Sequence, residues 1–152
     1  MRILAREIDE VQNPALGALL LWRAASAYSD ARNDAGPCPL NLLFLVLPLA
    51  LSEDTFEVIR GTRKNSGLRA CVAKFSTASA RKSDLIVACQ GRVESWRDTT
   101  LSSLQLATSS RLLAVEASTA SVLALSHTAP RAGIAQSVRE LQRESAKVGH
   151  WF

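Results

Sequence analysis

NPALGALLLWRAASAYSDAR, residues 13 to 32, is apolar on nearly every side between Ala15 and Ala27, with Arg23 its only charge in that span. Asn13 before Pro14 is a strong helix start. Asn caps free amides, and proline at the first helical position gives up a donor that had no partner there. The stretch therefore predicts a helix running to about Arg32. A helix that is hydrophobic all round lies in a core or inside an assembly, so the rest of the chain is read as what covers it.

Asp34, Ala35, Gly36, Pro37, Cys38 and Pro39 form a turn cluster. The run LLFLVLPLAL, residues 42 to 51, follows; it is too short for periodicity to separate strand from buried helix. Helix is favoured, because leucine outnumbers β-branched residues and Pro48 would take a ladder donor from a central strand. Ser52, with Glu53 and Asp54 behind it, reads as an N-cap with a first turn matched to the helix dipole. That helix carries Phe56 and Ile59 and ends near Gly61. Ser66 is placed to cap another, whose Leu68, Cys71, Val72 and Phe75 fall at i, i+3, i+4 and i+7, leaving Arg69 and Lys74 outward. Ser76 to Lys82 reads as an exposed connector.

From Ser83 the order becomes helix, break, helix, hairpin. Asp84 to Trp96 carries Leu85, Cys89, Val93 and Trp96 on one face, and Arg97, Asp98 and Thr99 break it. Thr100 to Arg111 follows with Leu101, Leu104 and Thr108 inward. Residues 112–116 and 122–126 make a hairpin whose turn lacks Gly or Asn. This is the order of a winged helix-turn-helix, with 112–126 as the wing. Past Pro130 and Gly133, a last helix shows Ile134, Val138, Leu141 and Val148, and Gly149 is placed to end it. Trp151 and Phe152 are too apolar for solvent and should dock on the domain or on a partner. The fold class is thus mostly α with a small β-hairpin. One domain is expected over 1–152, comprising a helical half at 13–75, a winged-helix-like unit at 83–126, and a C-terminal helix with an aromatic anchor at 134–152.

Composition agrees with a globular domain: 152 residues, 47% hydrophobic and 21% charged. The longest apolar run is about half of a bilayer crossing, and the start of the chain, with Arg2, Arg6, Glu7, Asp9 and Glu10, has no apolar stretch for a secretory signal, so a cytoplasmic protein is expected. Residues 14–28 and 42–51 together hold more apolar surface than one small domain is expected to cover, which predicts self-association.

Charge has an address. Eighteen Lys and Arg face fourteen Asp and Glu, yet residues 58–83 contain Arg60, Arg63, Lys64, Arg69, Lys74, Arg81 and Lys82 with no acidic residue. Such a segment is the footprint of a surface that meets phosphate or an acidic partner, and equally of a solvated face. Chemistry is harder to find. Two histidines, His127 and His150, and three cysteines, Cys38, Cys71 and Cys89, lack metal-ligand spacing. There is no phosphate loop, and Ser66 lacks the flanking glycines of a nucleophile elbow. Neither catalytic, cofactor nor metal residues are expected. The second helix of the winged unit offers Ser, Thr and one Gln105 where a recognition helix presents Arg, Lys, Asn or Gln, so base readout from it is not expected.

Four strings in order, NPALGALLLWR (13–23), PLNLLFLVLPLAL (39–51), TRKNSGLRACVAKF (62–75) and KVGHWF (147–152), resemble the middle components of bacterial ABC three-component systems, including Lamassu-type antiphage defence. The resemblance implies a non-catalytic subunit encoded with an SMC-like ABC ATPase and an effector, commonly a nuclease, which it bridges or regulates, with DNA contact indirect or non-specific. The competing expectation is a free-standing winged-helix DNA-binding regulator using the basic segment as its phosphate grip.

Overall fold

Helix α1, Pro14–Ala31, is the axis of the molecule. Asn13 Oδ1 accepts from Ala15 N at 2.9 Å, and Pro14 stands in the first turn, so the start is the one the sequence predicts. Leu20, Leu21, Trp22, Ala24 and Ala25 are buried almost completely, because the helices Gln136–Trp151, Arg97–Ser109 and Leu40–Ala50 and a small sheet pack around α1. This is a computed structural model; it describes residues 13–32, 36–78, 82–128 and 132–152, with the side chains of 76–78 and 82–86 left aside. The arginines and carboxylates of residues 1–12, the turn residues Asp34 and Ala35, and Pro130 lie outside the described residues.

The remaining elements follow in order: β1 Cys38–Pro39, α2 Leu40–Ala50, α3 Glu53–Arg60, a 3-10 turn at Lys64–Ser66, α4 Gly67–Ala78, α5 Lys82–Ser95, α6 Arg97–Ser109, β2 Leu113–Glu116, β3 Ser121–Ala124 and α7 Gln136–Trp151. The run at 42–51 is helical despite Pro48. Leu43, Val46, Leu47 and Ala50 join α1 in the core, closed by Leu104 and Ala107 of α6 and by Leu113 and Val122 of the sheet. The apolar surface of α1 and α2 is thus covered within the chain, contrary to the expected excess. Among the described residues, the large apolar side chains left exposed are instead Val87 on α5, Leu101 and Leu106 on α6, and Val115, Leu123 and Leu125 on or beside the hairpin.

Several local expectations need correction. Cys38 and Pro39 are not only a turn: they form an edge strand antiparallel to β3, with Cys38 opposite Val122, giving the order β1-β3-β2. The edge is where a proline costs no ladder bond. Ser52 precedes α3 without a side-chain cap; Asp54 Oδ1 accepts from Thr55 N at 2.9 Å, and Thr55 Oγ1 donates to Leu49 O at 2.7 Å, tying α3 to the end of α2. Ser66 closes the 3-10 turn instead of capping α4, which starts at Gly67 with φ 78°, a backbone shape that a side chain resists. The connector at 76–82 is shorter than expected, since α4 reaches Ala78 and α5 begins at Lys82.

The break before α6 narrows to Trp96, and its inward residues are Thr100, Ser103, Leu104 and Ala107. Leu101 and Thr108 point away. Close packing explains the choice: a Cβ on Gly17 would meet Ser103 Oγ at 2.1 Å, so α1 accepts only small residues from α6 at that height. The hairpin forms without Gly or Asn because Ala120 itself adopts φ 48°. Gly149 does not terminate α7. It lies inside the helix against α1, where a Cβ would sit 2.1 Å from the Ala24 carbonyl oxygen. Glycine here serves close helix approach, and α7 continues to Trp151. Among the described residues no helix is long and apolar enough to cross a membrane.

Candidate basic interface

The sequence-contiguous bases do not converge. Arg60, in the last turn of α3, pairs with Glu57 one turn earlier at 3.0 Å. Arg63 and Lys64 are exposed on the connection into the 3-10 turn, and Arg69 and Lys74 are exposed on the outer face of α4. Lys74 Nζ donates to Gly61 O at 2.6 Å, satisfying the carbonyl at the end of α3. Arg81 lies outside the described residues, and Lys82 opens α5.

The terminal aromatics reach this segment. Trp151 Nε1 donates to Lys64 O at 2.7 Å, and its ring packs beside the second core of Ile59, Cys71, Phe75 and Val148. Phe152 touches both cores, and Arg32, stacked over Tyr28 at 4.5 Å, donates to the Phe152 carbonyl. Both aromatics are half-buried on the domain's own surface.

A second basic surface is assembled from residues far apart in sequence. Packing of α7 on α1 leaves a groove of about 740 Å³ lined by Arg23, Ala27, Asp30 and Ala31 from α1, by Arg139, Gln142, Arg143, Ala146, Lys147 and His150 from α7, and by Lys64. Of the expected basic residues that the structure describes, only Lys64 takes part. The others were missed because no run of charge marks them. A helical reading would have found them, since 139, 143, 147 and 150 recur at spacings of four, four and three, which is one face of a helix.

Burial organises the charges here. Glu144 is 1% exposed: its Oε1 accepts from Arg143 Nε at 3.0 Å, while Oε2 meets the Lys147 ammonium at 2.6 Å as an ion pair without hydrogen-bond alignment. Lys147 Nζ also donates to Ile59 O at 2.9 Å, so this carboxylate is compensated and α7 is tied to α3. Asp30 is engaged by His127 at 3.0 Å. Partial burial, then the nearby Lys64 charge, holds His150 below the usual imidazole range and so favours its neutral form. Arg23, Lys64 and Arg139 form no ion pair among the described residues.

Elsewhere the chemistry is quiet. Burial pushes the Cys38 thiol up to about 11, against a smaller opposing pull from Arg32, and burial also raises Cys71 and Cys89. Thiols held protonated are poor nucleophiles and poor metal ligands. Among the described residues no group of three or more His, Cys, Asp or Glu is placed to hold a metal ion. Arg92 donates to both oxygens of Asp54 at 2.8 Å, a bidentate pair joining α5 to α3.

A family model described as ABC-three component (ABC-3C) system Middle Component 3 matches residues 1–152. No curated protein and no solved structure matches the chain.

Proposed function

The chain belongs to the ABC-three component (ABC-3C) system Middle Component 3 family, and from that premise we propose that it is the non-catalytic subunit bridging an SMC-like ABC ATPase and an effector, such as a nuclease, in cytoplasmic defence against phage or plasmids. The whole-length family match carries this reading. The molecule also offers two kinds of outward surface built on different elements, as a bridge requires. One is the basic groove of α1 and α7. The other kind is apolar: Leu101 and Leu106 stand exposed on α6, and Leu123 on the outward side of the hairpin, the contact type that protein interfaces bury. A Lamassu-type system is the specific setting we favour, on the same ordered strings.

The free-standing DNA regulator has one observation in its favour. A short strand ahead of the helices pairing with the far strand of the hairpin, in the order β1-β3-β2, is an arrangement that winged helices use. Against it, α6 exposes Leu101, Ser102 and Leu106 with a single amide, Gln105, and its one cation, Arg97, stands at its first residue, where a reading helix needs several such groups. A winged-helix-like unit serving as a protein dock fits both facts, since fold alone does not choose the use. Co-expression with the ATPase and effector encoded beside this chain, followed by size-exclusion chromatography, tests the proposal. The expected result is one peak containing all three, and separation of ATPase from effector when this chain is omitted. A chain that elutes alone, with ATPase and effector either joined or apart regardless of it, would refute the bridging role.

A further inference from the structure

We propose that the groove between α1 and α7 is a binding site for phosphate groups, supplied by a nucleic-acid backbone. Five permanent cations, Arg23, Lys64, Arg139, Arg143 and Lys147, line one concavity in which Asp30 is the only carboxylate among the described residues. Buried Glu144, shared by Arg143 and Lys147, offsets one charge more and leaves the groove clearly positive. Three of the five are arginines, whose planar forks match phosphate oxygens in pairs. Gathering so many like charges costs repulsion that a dianionic or polyanionic ligand relieves.

A second observation points the same way. Gln142 borders the groove, is 5% exposed, and its Nε2 has no hydrogen-bond partner. A buried donor without an acceptor is costly, and since Nε2 is itself shut off from solvent, a phosphate oxygen would satisfy it once the side chain turns toward the groove. The lining also says what is not read. Among the described residues it holds no Phe, Tyr or Trp and a single aromatic ring, His150, too little for a run of stacked bases, and its apolar members are the small Ala27, Ala31 and Ala146, which give a peptide no anchoring pocket. Recognition is therefore of phosphate charge, independent of base sequence.

The test measures binding by the full chain alone, so its outcome is separate from whether the chain bridges other subunits. Fluorescence anisotropy with a short labelled DNA duplex would be followed against salt, with inorganic pyrophosphate, a nucleoside triphosphate and an acidic peptide as competitors. Arg23→Gln, Lys64→Gln and Arg139→Gln combined spare the ion pairs of Glu144, and melting temperature checks the fold. The expected result is a loss of about tenfold or more in affinity and a fall of about 2 to 3 in the slope of log affinity on log salt. Gln142→Leu, which keeps volume and removes the donor, should weaken binding as well. Competition by pyrophosphate, with duplexes of different sequence binding alike, supports backbone phosphates. A nucleoside triphosphate that binds far more tightly than either would support the phosphate site and assign its source to a free nucleotide. Unchanged affinity in both variants, or an equal loss from Arg60→Gln, Arg63→Gln and Arg69→Gln combined, would overturn the proposal. So would displacement by the acidic peptide and not by pyrophosphate.

Discussion

Two basic regions share Lys64 and little else. Between Arg60 and Lys74 the charges are neighbours in sequence, yet folding spreads them over the end of α3, a 3-10 turn and the outer face of α4, and ties Arg60 and Lys74 to local acceptors. In the α1–α7 groove the charges come from positions 23 to 147 and converge on one concavity. A run of bases in a sequence is a count, whereas a site needs convergence. Convergence here depends on the closeness of two helices.

That closeness rests on a glycine of α7. Gly149→Ala puts a Cβ against the Ala24 backbone, which cannot yield as a side chain would, so α7 must move off α1. A loss of about 3 kcal/mol or more is expected, a drop of roughly 6 to 12 °C in melting temperature, with the groove lost and the outer face of α4 largely unaffected. Calorimetry of the purified chain checks it; a variant as stable as the parent would show that the two helices are not held by that contact.

Removing Trp151 and Phe152 attacks the link between the two regions. Because both are only half-buried, the cost is expected below that of a fully buried aromatic, about 2 to 3 kcal/mol. The loss includes the Trp151 bond to Lys64 O, so hydrogen exchange at residues 62–66 should quicken along with a fall in melting temperature. Pull-down by the ATPase, corrected for folded fraction, should be unchanged if these aromatics serve the domain and reduced if they also touch a partner.

The Asp54–Arg92 pair gives a smaller, pH-dependent effect. The paired guanidinium holds the Asp54 carboxyl below the usual range, outweighing the opposing effect of partial burial. A carboxyl that binds its proton less readily when folded adds stability above its unfolded pKa, and that stability is lost as pH falls from about 5 through the lowered value. Asp54 is 45% exposed, so screening limits the gain. Arg92→Gln should cost about 0.5 to 1 kcal/mol at neutral pH and nothing once the carboxyl is protonated, as urea titrations across pH would show. Smallest of all, Arg60→Glu with Arg63→Glu should change stability by no more than about 0.5 kcal/mol, since both side chains are exposed. A larger destabilisation in denaturant would mean that the segment supports the fold.

Much of this architecture was legible in the sequence. The α1 start, the helical reading of 42–51, the amphipathic face of α4 and the hairpin all follow from capping, composition and periodicity, which are local. The edge strand at Cys38 was not legible, because its partner is eighty-odd residues away in β3. Gly149 was misread for the same reason: a glycine near a helix end looks like a terminator until the neighbouring helix is in place. The inward face of α6 was misjudged because small Ser103 and Ala107 pack where leucines seemed owed, a choice set by Gly17 on another helix. The groove was only half legible: its α7 stripe shows at helical spacing, but Arg23 and Lys64 join it only through tertiary contact.

Backbone amide NMR of the full chain, titrated with a short DNA duplex, locates where phosphate meets the molecule without altering any residue. Shifts concentrated over Arg23–Ala31 and Arg139–His150, with Arg69–Lys74 nearly still, are the predicted result. Shifts confined to Arg60–Lys74, with α7 unmoved, would contradict it and return the site to the contiguous run of bases.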